Sequence, residues 1–281
     1  MGQGKVERAV SPRVSVVVPT RNEARNLEVV LPAIAAVRPA VHEVIVVDGH
    51  SVDDTTTTAR TVLPTAKVIT QTRRGKGNAM ACGFAAATGD IIVMFDADGS
   101  ADVAEIPRFV QTLKDGADFA KGSRFAVGGG SQDITWLRDL GNKGLNFVAN
   151  TLFRTRFTDL CYGYNAFWSD LVPMLGLPAL DAPAAPGAML WGDGFEIETV
   201  INCRFAAAGV TIVEVGSVEL ARIHGESNLR TFSDGSRVLR TIVAERRRAA
   251  QRGTAPVVPI AERRPELVMV GSGGGDVERA S

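Results

Sequence analysis

The first third of the chain carries short runs of consecutive apolar residues. SVVVP at residues 15–19 and IIVMF at 91–95 have almost no polar interruption. Continuous apolar runs are typical of strands that are buried on both faces. Helix-like segments separate these runs, so strands and helices alternate along the chain. The pattern predicts an α/β fold with a mostly parallel sheet and flanking helices.

The same pattern predicts the bounds of individual strands and helices. The predicted strands are Val14–Pro19, Glu43–Asp48, Ala66–Thr70 and Asp90–Asp98, and the predicted helices are Glu23–Val37, Asp53–Leu63 and Lys76–Thr88. The alternation breaks after Asp118. Further on, the sequence predicts helices at 136–153, 195–208 and 234–251, a strand-like segment at 161–168, a strand at 211–215 and a loop at 177–186.

Length and composition predict a single enzyme-sized domain at residues 13–230. A flexible N-terminus, residues 1–12, precedes it, and an amphipathic basic helix at 231–252 follows it. Residues 253–281 are polar and rich in glycine and proline. Such a composition does not bury enough apolar surface to offset the entropy of ordering, so we expect a disordered tail.

Charge and cysteine content limit the partners and the compartment. The 31 basic residues balance the 31 acidic ones, so we expect no nucleic-acid partner and only local attraction to anionic surfaces. The three cysteines are odd in number and widely spaced, which indicates a reducing compartment. No signal peptide and no apolar stretch of about 20 residues is visible. We therefore expect a cytoplasmic protein.

Acidic residues close two of the predicted strands. Asp48 ends the second strand, and Asp96 and Asp98 close the fourth, which runs into an acidic turn. In open α/β sheets, ligands bind at the carboxyl ends of the strands. Carboxylates two residues apart there suit Mg²⁺ or Mn²⁺ bound together with substrate phosphates. The alternative is a solvated acidic turn that caps the next helix.

Three further motifs lie at the same predicted edge of the sheet: VVVPTRNEARNL after the first strand, VVDGHSVDDTT after the second and RRGKGNAM after the third. With the D-x-D turn, this ordered set resembles family 2 glycosyltransferases of the GT-A fold. The resemblance is nearest to the dolichol- or polyprenyl-phosphate sugar transferases and covers roughly residues 13–230. It implies a metal-dependent hexosyltransferase that uses a nucleotide-sugar donor and works with inversion.

The resemblance also implies roles for individual residues. The residues implied to bind the nucleotide sugar are Pro19, Thr20, Asn22, Glu23, Asp48, Ser51, Arg74, Lys76, Asp96, Ala97, Asp98, Arg124 and Ser227. Asp96 and Asp98 are implied to hold the metal. The family's usual D-D-x-S reads D-G-H-S here, with Gly49 in place of the second acid. The donor base therefore stays open between the GDP-mannose and UDP-glucose types.

The later motifs concern the acceptor. By resemblance, GDGFEIET at 192–199 places Glu198 in the acceptor or catalytic region, with Asp193 and Glu196 as nearby alternatives. The segment ELARIHGESNL is implied to bring Arg222 towards a phosphate. His224 is an addition to that pattern, either a further metal ligand or a hydrogen-bonded loop residue.

Two acceptor classes remain open at this stage. The metal, with Lys76 or Arg222, would neutralise the departing nucleoside diphosphate. A lipid phosphate acceptor is already ionised and needs no protein base. A hydroxyl acceptor needs one of the three carboxylates within hydrogen-bond reach.

The final predicted helix has an apolar stripe beside several arginines. This pattern is typical of a helix on an anionic membrane, and equally of a helix packed on the domain with a solvated basic face. Peripheral contact with the inner face of the membrane is therefore one hypothesis.

Rival functions can be stated from the same motifs. FDADGS resembles the D-x-D-G turn of haloacid-dehalogenase-type phosphatases, although that family places its turn after the first strand. A non-catalytic sugar-nucleotide-binding module is a second alternative, suggested by Gly49. A dinucleotide-dependent oxidoreductase is disfavoured because the first strand leads to PTRNEARN rather than G-x-G-x-x-G.

Overall fold

The apolar runs of the sequence form the central strands of a mixed sheet. The computed structural model describes residues 8–132, 134–185, 187–225 and 231–252. Its strands are β1 (Val14–Thr20), β2 (Glu43–Asp48), β3 (Lys67–Thr70), β4 (Ile91–Met94), β5 (Phe119–Ser123), β6 (Gly130–Ser131), β7 (Asn165–Trp168), β8 (Ile212–Gly216) and β9 (Val218–Glu219).

Helices connect and cover these strands. They are α1 (Ala24–Ala36), α2 (Thr55–Val62), α3 (Lys76–Ala86), α4 (Ile106–Lys114), α5 (Trp136–Phe153), α6 (Val172–Leu175), α7 (Ile197–Ala208) and α8 (Thr231–Arg252). Short 3₁₀ turns lie at Val103–Glu105 and Ser169–Leu171.

The large sheet has the strand order β3-β2-β1-β4-β7-β5-β8. Strand β7 runs antiparallel to both of its neighbours, and the other neighbouring pairs are parallel. Strands β2 and β3 are added in order on one side of β1, and β4 pairs with β1 on its other side. The order therefore reverses between β1 and β4, and a crevice opens at their carboxyl ends. The predicted mostly parallel sheet with flanking helices is confirmed.

The centre of the sheet is buried on both faces, as its apolar runs predict. Val16, Val17 and Val18 of β1 have no exposed surface. Helix α3 packs directly on β1, where a Cβ on Gly83 would lie only 2.2 Å from Cγ1 of Val17. This glycine lets helix and strand approach closely and so holds the N-terminus of α3 beside the crevice.

Several elements differ from their sequence predictions. Helix α4 was not predicted, although Ile106, Phe109 and Leu113 are buried at helical spacing. The strand-like segment 161–168 was predicted too long, because only Asn165–Trp168 pairs with β4 and β5. The turn before it instead reaches the crevice.

The C-terminal helix α8 packs against α5 and α7. Ile242 is fully buried in a small apolar cluster with residues of α5 and α7. Glu245 is also buried, and Arg204 of α7 donates to it through Nε and Nη2, both at 2.8 Å. The expected tail at 253–281 lies outside the described residues. Within the part of the chain that is described, no helix is both long and apolar enough to cross a membrane.

Candidate active site

A cleft of about 1040 Å³ opens at the carboxyl ends of β1, β2 and β4. It is large enough for a ligand of drug or cofactor size. The predicted site residues that line it are Pro19, Thr20, Asn22, Glu23, Lys76, Asp96, Ala97, Asp98, Arg124, Glu198, Arg222 and His224. The fold thus brings into one cavity residues that are up to two hundred positions apart.

The D-x-D turn follows β4 directly and presents both acids to the cleft. Asp96 accepts from Nζ of Lys76 at 2.7 Å, and Asp98 pairs with Nη1 of Arg222 at 2.7 Å. The Ser100 amide also donates to Asp98 Oδ1, at 2.9 Å. Each acid of the turn therefore holds one cation that comes from a different loop.

Lys76 links the donor and acceptor motifs of the sequence. Its ammonium lies 2.7 Å from Asp96 Oδ1 and 2.7 Å from Glu198 Oε1. Burial disfavours the charged form, but the carboxylates of Asp96 and Glu198 outweigh it and raise the pKa of Lys76 above its usual range. Lys76 therefore favours its charged form and contributes a positive charge to the wall of the cleft.

Gly163 packs against this ion cluster. A Cβ at this position would lie 3.3 Å from both Asp96 Oδ2 and Glu198 Oε1 and 3.4 Å from Lys76 Nζ. Gly163 is therefore a further neighbour of this cluster, and it is not among the site residues that the sequence predicts. It lies in DLCYGYNAF (residues 159–167), and the D-x-x-x-G pattern of that segment is the signal that could have found it.

The glycines of the RRGKGNAM motif serve the protein's own packing. A Cβ on Gly75 would lie 2.1 Å from the carbonyl oxygen of Asp193, and one on Gly77 would lie 1.9 Å from that of Gly192. The amides of Gly77 and Asn78 donate to Gly194 and Asp193. The close approach that these two glycines permit is therefore used by the backbone of residues 192–194.

The loop after β1 is joined to the loop after β2 by polar contacts. The Asn22 amide donates to Ser51 Oγ at 2.9 Å, and the Val52 amide donates to Asn22 Oδ1 at 2.9 Å. Asp48 accepts from the Ser51 amide at 3.2 Å. Asp48 and Ser51 therefore support the loop that carries Asn22, and they are not among the residues that line the cleft.

Glu23 lies between this loop and the acidic turn. Burial raises the pKa of Glu23 above its usual value, and the nearby carboxylates of Asp98 and Asp96 raise it further, against a hydrogen bond from Asn26. Three acids thus approach the same region of the cleft. Within the described residues, however, no cluster of three or more His, Cys, Asp or Glu is arranged to hold a metal ion, so His224 does not complete such a set.

Two of the candidate catalytic carboxylates do not line the cleft. Asp193 is buried, and Arg73 donates to it through Nε at 2.7 Å and Nη2 at 2.9 Å. Glu196 accepts from the amides of Gly192 and Gly194 at 3.0 and 3.3 Å. Both acids hold the 192–196 loop in place, and Glu198 is the member of the trio that reaches the cleft.

The buried member of the R-R pair is Arg73, and not Arg74, for which the sequence predicts a role in the site. Arg73 is buried against Asp193, whose hydrogen bonds raise the pKa of the guanidinium. Arg74 is exposed and is not among the residues that line the cleft. The R-R pair in the sequence does not distinguish the two, because the loop conformation decides which side chain points inward.

Arg124 lines the cleft, and each of its three guanidinium nitrogens donates a hydrogen bond to a carboxylate. It donates to Asp159 through Nε at 2.7 Å and Nη2 at 3.0 Å, and to Glu219 through Nη1 at 3.0 Å. Burial lowers its pKa, but these two carboxylates outweigh burial and the net shift is upward. Ser227, the remaining predicted contact, lies outside the described residues.

The far end of the cleft runs between two helices. Its walls there include Gly141, Asn142 and Leu145 of α5 and Arg237 and Val238 of α8. The cleft therefore passes from a strongly charged region at the sheet edge to a less polar groove between α5 and α8. Such a shape fits a ligand with an anionic head and an apolar extension.

The sheet order and the acid pair at its carboxyl edge define a GT-A-type protein of the nucleotide-sugar-dependent transferase class. Comparison with known proteins identifies the family. Residues 15–172 match the sequence model for Glycosyl transferase family 2. The chain belongs to glycosyltransferase family 2, and this membership excludes the haloacid-dehalogenase alternative.

Curated relatives agree with this assignment. An uncharacterized glycosyltransferase of Mycobacterium tuberculosis is 32% identical over 79% of this chain and 92% of its own length. The polyprenol monophosphomannose synthase of Mycolicibacterium smegmatis is 30% identical over 76% of this chain and 80% of that protein. The dolichol-phosphate mannosyltransferase of Pyrococcus furiosus is 32% identical over 78% of this chain and 59% of that protein.

Solved structures support the fold. The crystal structure of glucosyl-3-phosphoglycerate synthase from Mycobacterium tuberculosis, in complex with Mn²⁺, UDP-glucose and phosphoglyceric acid, superposes with a TM-score of 0.62. The match has 24% sequence identity and covers 84% of this chain and 80% of the other. The likeness establishes the GT-A architecture of this chain.

Proposed function

We propose that this glycosyltransferase moves a hexose, mannose in the first instance, from a nucleoside diphosphate sugar to a polyprenyl phosphate. The observation that carries the proposal is the form of the cleft, with paired acids and cations at the sheet edge and a less polar groove between α5 and α8. The names of relatives point the same way, since an undecaprenyl-phosphate mannosyltransferase of Micrococcus luteus is also 30% identical over 77% of this chain.

The acid pair fits a divalent cation as cofactor. Asp96 and Asp98 offer hard oxygen donors from one turn, and each already binds a positive side chain. Structural neighbours contain Mn²⁺ or Mg²⁺ together with UDP. When bound, the metal would supply charge neutralisation to the donor diphosphate.

Other residues in and around the cleft stabilise charge or form its walls. Lys76 and Arg222 supply positive charge near the acidic turn, where negative charge develops on the leaving diphosphate. Asn22 and the backbone of Pro19 and Thr20 form the wall on the nucleotide side. Asp48 and Ser51 support that wall through hydrogen bonds, since Asp48 accepts from the Ser51 amide and Ser51 Oγ accepts from the Asn22 amide.

A phosphate acceptor fits the carboxylates better than a hydroxyl acceptor does. A hydroxyl needs a general base within hydrogen-bond reach. Among the three candidate bases, Asp193 and Glu196 are engaged away from the cleft, and Glu198 is paired with Lys76. An ionised lipid phosphate attacks C1 of the sugar directly. We propose that its oxygen forms the new bond on the face opposite the departing diphosphate, so that the anomeric configuration inverts.

Titration calorimetry tests the donor. The full-length protein is titrated with GDP, UDP, GDP-mannose and UDP-glucose, each with and without Mn²⁺. We expect metal-dependent, saturable binding of GDP-mannose. Saturable binding of UDP-glucose alone would replace mannose by glucose in the proposal, and no binding of any of the four would refute it.

A transfer assay tests the acceptor. The protein is incubated with the bound donor and either a polyprenyl phosphate or 3-phosphoglycerate, and the products are separated by solvent extraction and resolved by NMR. We expect the transferred sugar in the lipid fraction, with inverted configuration at its C1. Sugar found only on the phosphoglycerate would contradict the proposed lipid acceptor, but it would not contradict the proposed donor.

The compartment is part of the same proposal. A lipid acceptor requires the protein to work at a membrane surface, and we place it on the cytoplasmic, inner face. Fractionation of cells that express the protein, before and after a high-salt wash, measures this. Protein found entirely in the soluble fraction at low salt would count against it.

A further inference from the structure

Helix α5 exposes a stripe of large apolar side chains. Trp136 is 76% exposed, Leu140 60% and Phe147 72%. Because successive helical residues are turned by about 100°, these three lie within an arc of about 40° and extend over about 17 Å. An apolar patch of this kind on a folded domain marks an interaction surface.

The stripe is fixed in its outward orientation. The opposite face of α5 is buried through Asn142, Asn146 and Ala149. Asn146 donates to the carbonyl oxygen of Thr158 and accepts from the Leu160 amide at 2.8 Å. A rotation that buried the stripe would break these contacts, so the fold itself provides no cover for it.

The same helix forms one wall of the cleft. Gly141 and Leu145 of α5 face Val238 of α8 across the groove at its far end. The stripe and the groove are therefore two faces of one helix. Whatever covers the stripe therefore contacts the helix that also forms one wall of the groove.

Exposed basic residues lie on α5 and on α8, which packs against it. Lys143, within the stripe, is 66% exposed, and Asp139 pairs with it at 2.8 Å. On the described part of α8, Arg240, Arg246 and Arg247 are exposed, whereas the acid Glu245 is buried against Arg204. Aromatic and leucine side chains beside exposed basic residues are the surface chemistry that binds anionic bilayers.

We propose that the stripe formed by Trp136, Leu140 and Phe147 lies in the interface of an anionic lipid bilayer, with the arginines of α8 on the headgroups. This seats the groove between α5 and α8 at the level of the lipid phosphates. A lipid acceptor then enters head first while its chain stays in the bilayer. The acceptor step rests on the proposed function, whereas binding to the bilayer does not.

Vesicle binding by the full chain is the direct test. The probes are vesicles of phosphatidylcholine with phosphatidylglycerol, and of phosphatidylcholine alone. In the variant Trp136→Ser/Leu140→Ser/Phe147→Ser, we expect the lipid concentration for half-maximal binding to rise by at least about tenfold, because three apolar contacts are lost. The control Val29→Ser/Val213→Ser removes exposed apolar groups elsewhere and should bind like the wild type.

Tryptophan fluorescence locates the contact. We expect a blue shift on adding anionic vesicles and quenching by brominated lipid. Trp136→Phe should abolish both signals and still bind, since Phe keeps the apolar contact. Signals that persist in Trp136→Phe would overturn the proposal, because they would come from another tryptophan.

Activity separates this inference from the proposed function. With a short, water-soluble isoprenyl phosphate and no vesicles, the triple serine variant should transfer sugar like the wild type; with polyprenyl phosphate in vesicles it should be slower by at least about tenfold. Unchanged vesicle binding of the variant overturns the inference, whatever the acceptor. If the triple serine variant loses vesicle binding but the wild type transfers sugar to no isoprenyl phosphate, the membrane-binding surface is supported and the proposed function is refuted.

A second copy of the chain is the competing occupant of the stripe on α5. Light scattering of the wild type and the triple variant in vesicle-free buffer measures it. We expect equal masses for the two proteins. A wild-type dimer that the serine variant abolishes, together with equal vesicle binding, would assign the stripe to a second copy of the chain and overturn the proposal.

Discussion

Replacement of Arg73 by methionine tests whether Asp193 is a structural or a catalytic residue. The ion pair is buried, with side-chain exposures of 6% for Arg73 and 1% for Asp193. The guanidinium also donates to the carbonyl oxygens of Ala179 and Leu180 at 2.9 and 3.0 Å. Arg73→Met leaves a buried carboxylate and two carbonyls without these donors.

The expected cost follows from this burial. Removal of one partner of a buried pair typically destabilises a protein by about 3–5 kcal/mol. Solvent screening is small at these exposures, so we expect this range for the loss in the free energy of unfolding. For a domain of this size, that loss corresponds to a fall in Tm of roughly 6–20 °C. The exposed neighbour supplies the matched control, because Arg74→Met should change stability by less than about 0.5 kcal/mol.

Urea unfolding followed by circular dichroism, with calorimetry for Tm, measures both variants. Transfer activity is then measured with Asp193→Asn at a temperature where the variant is folded, and we expect it to be largely retained. Equal losses of stability in Arg73→Met and Arg74→Met would refute the assignment of the buried partner. A fall of about 10³-fold in kcat for folded Asp193→Asn would restore Asp193 as a catalytic residue.

Three further predictions address the cleft and the C-terminal helix. Asp98→Ala should reduce transfer by at least about 10²-fold and remove the metal dependence of nucleotide binding in calorimetry, since one of two carboxylate donors is lost; unaltered transfer would contradict the metal site. Glu198→Gln should retain transfer to a lipid phosphate within about tenfold, whereas a loss of 10²–10⁴-fold would identify Glu198 as a general base. Burial raises the pKa of Glu245, but hydrogen bonds from Arg204 and Trp191 outweigh it and hold the pKa below 4.5. Its contribution to stability is therefore complete above pH 4.5 and is lost as the pH falls through the lowered value. The stability difference between wild type and Glu245→Gln, measured by urea unfolding across pH, should shrink in acid, and a constant difference would contradict this.

The motifs at the strand ends could be predicted because their placement depends on chain topology alone. Once β1, β2 and β4 are parallel neighbours, Asn22, Asp48 and Asp96 must lie at the same edge of the sheet. Burial on both faces makes these strands continuous apolar runs, which a sequence displays directly. Helix α5 was predicted at its observed bounds for a similar reason, since its own pattern carries the signal.

The direction of individual side chains could not be predicted in the same way. Asp193, Glu196 and Glu198 lie within six residues, yet only Glu198 lines the cleft. Which acid does so depends on how the 192–196 loop docks on Gly75 and Gly77, and that contact joins segments more than a hundred residues apart.

The sequence by itself thus determined the α/β architecture, the family and the edge of the sheet where the cleft opens, because local apolar patterns and short motifs specify them. Only the tertiary structure decided that Arg73 rather than Arg74 is buried and that Lys76 joins Asp96 to Glu198. It also decided that the stripe on α5 faces outward beside the groove. These features arise from contacts between segments distant in the chain, which no local pattern encodes.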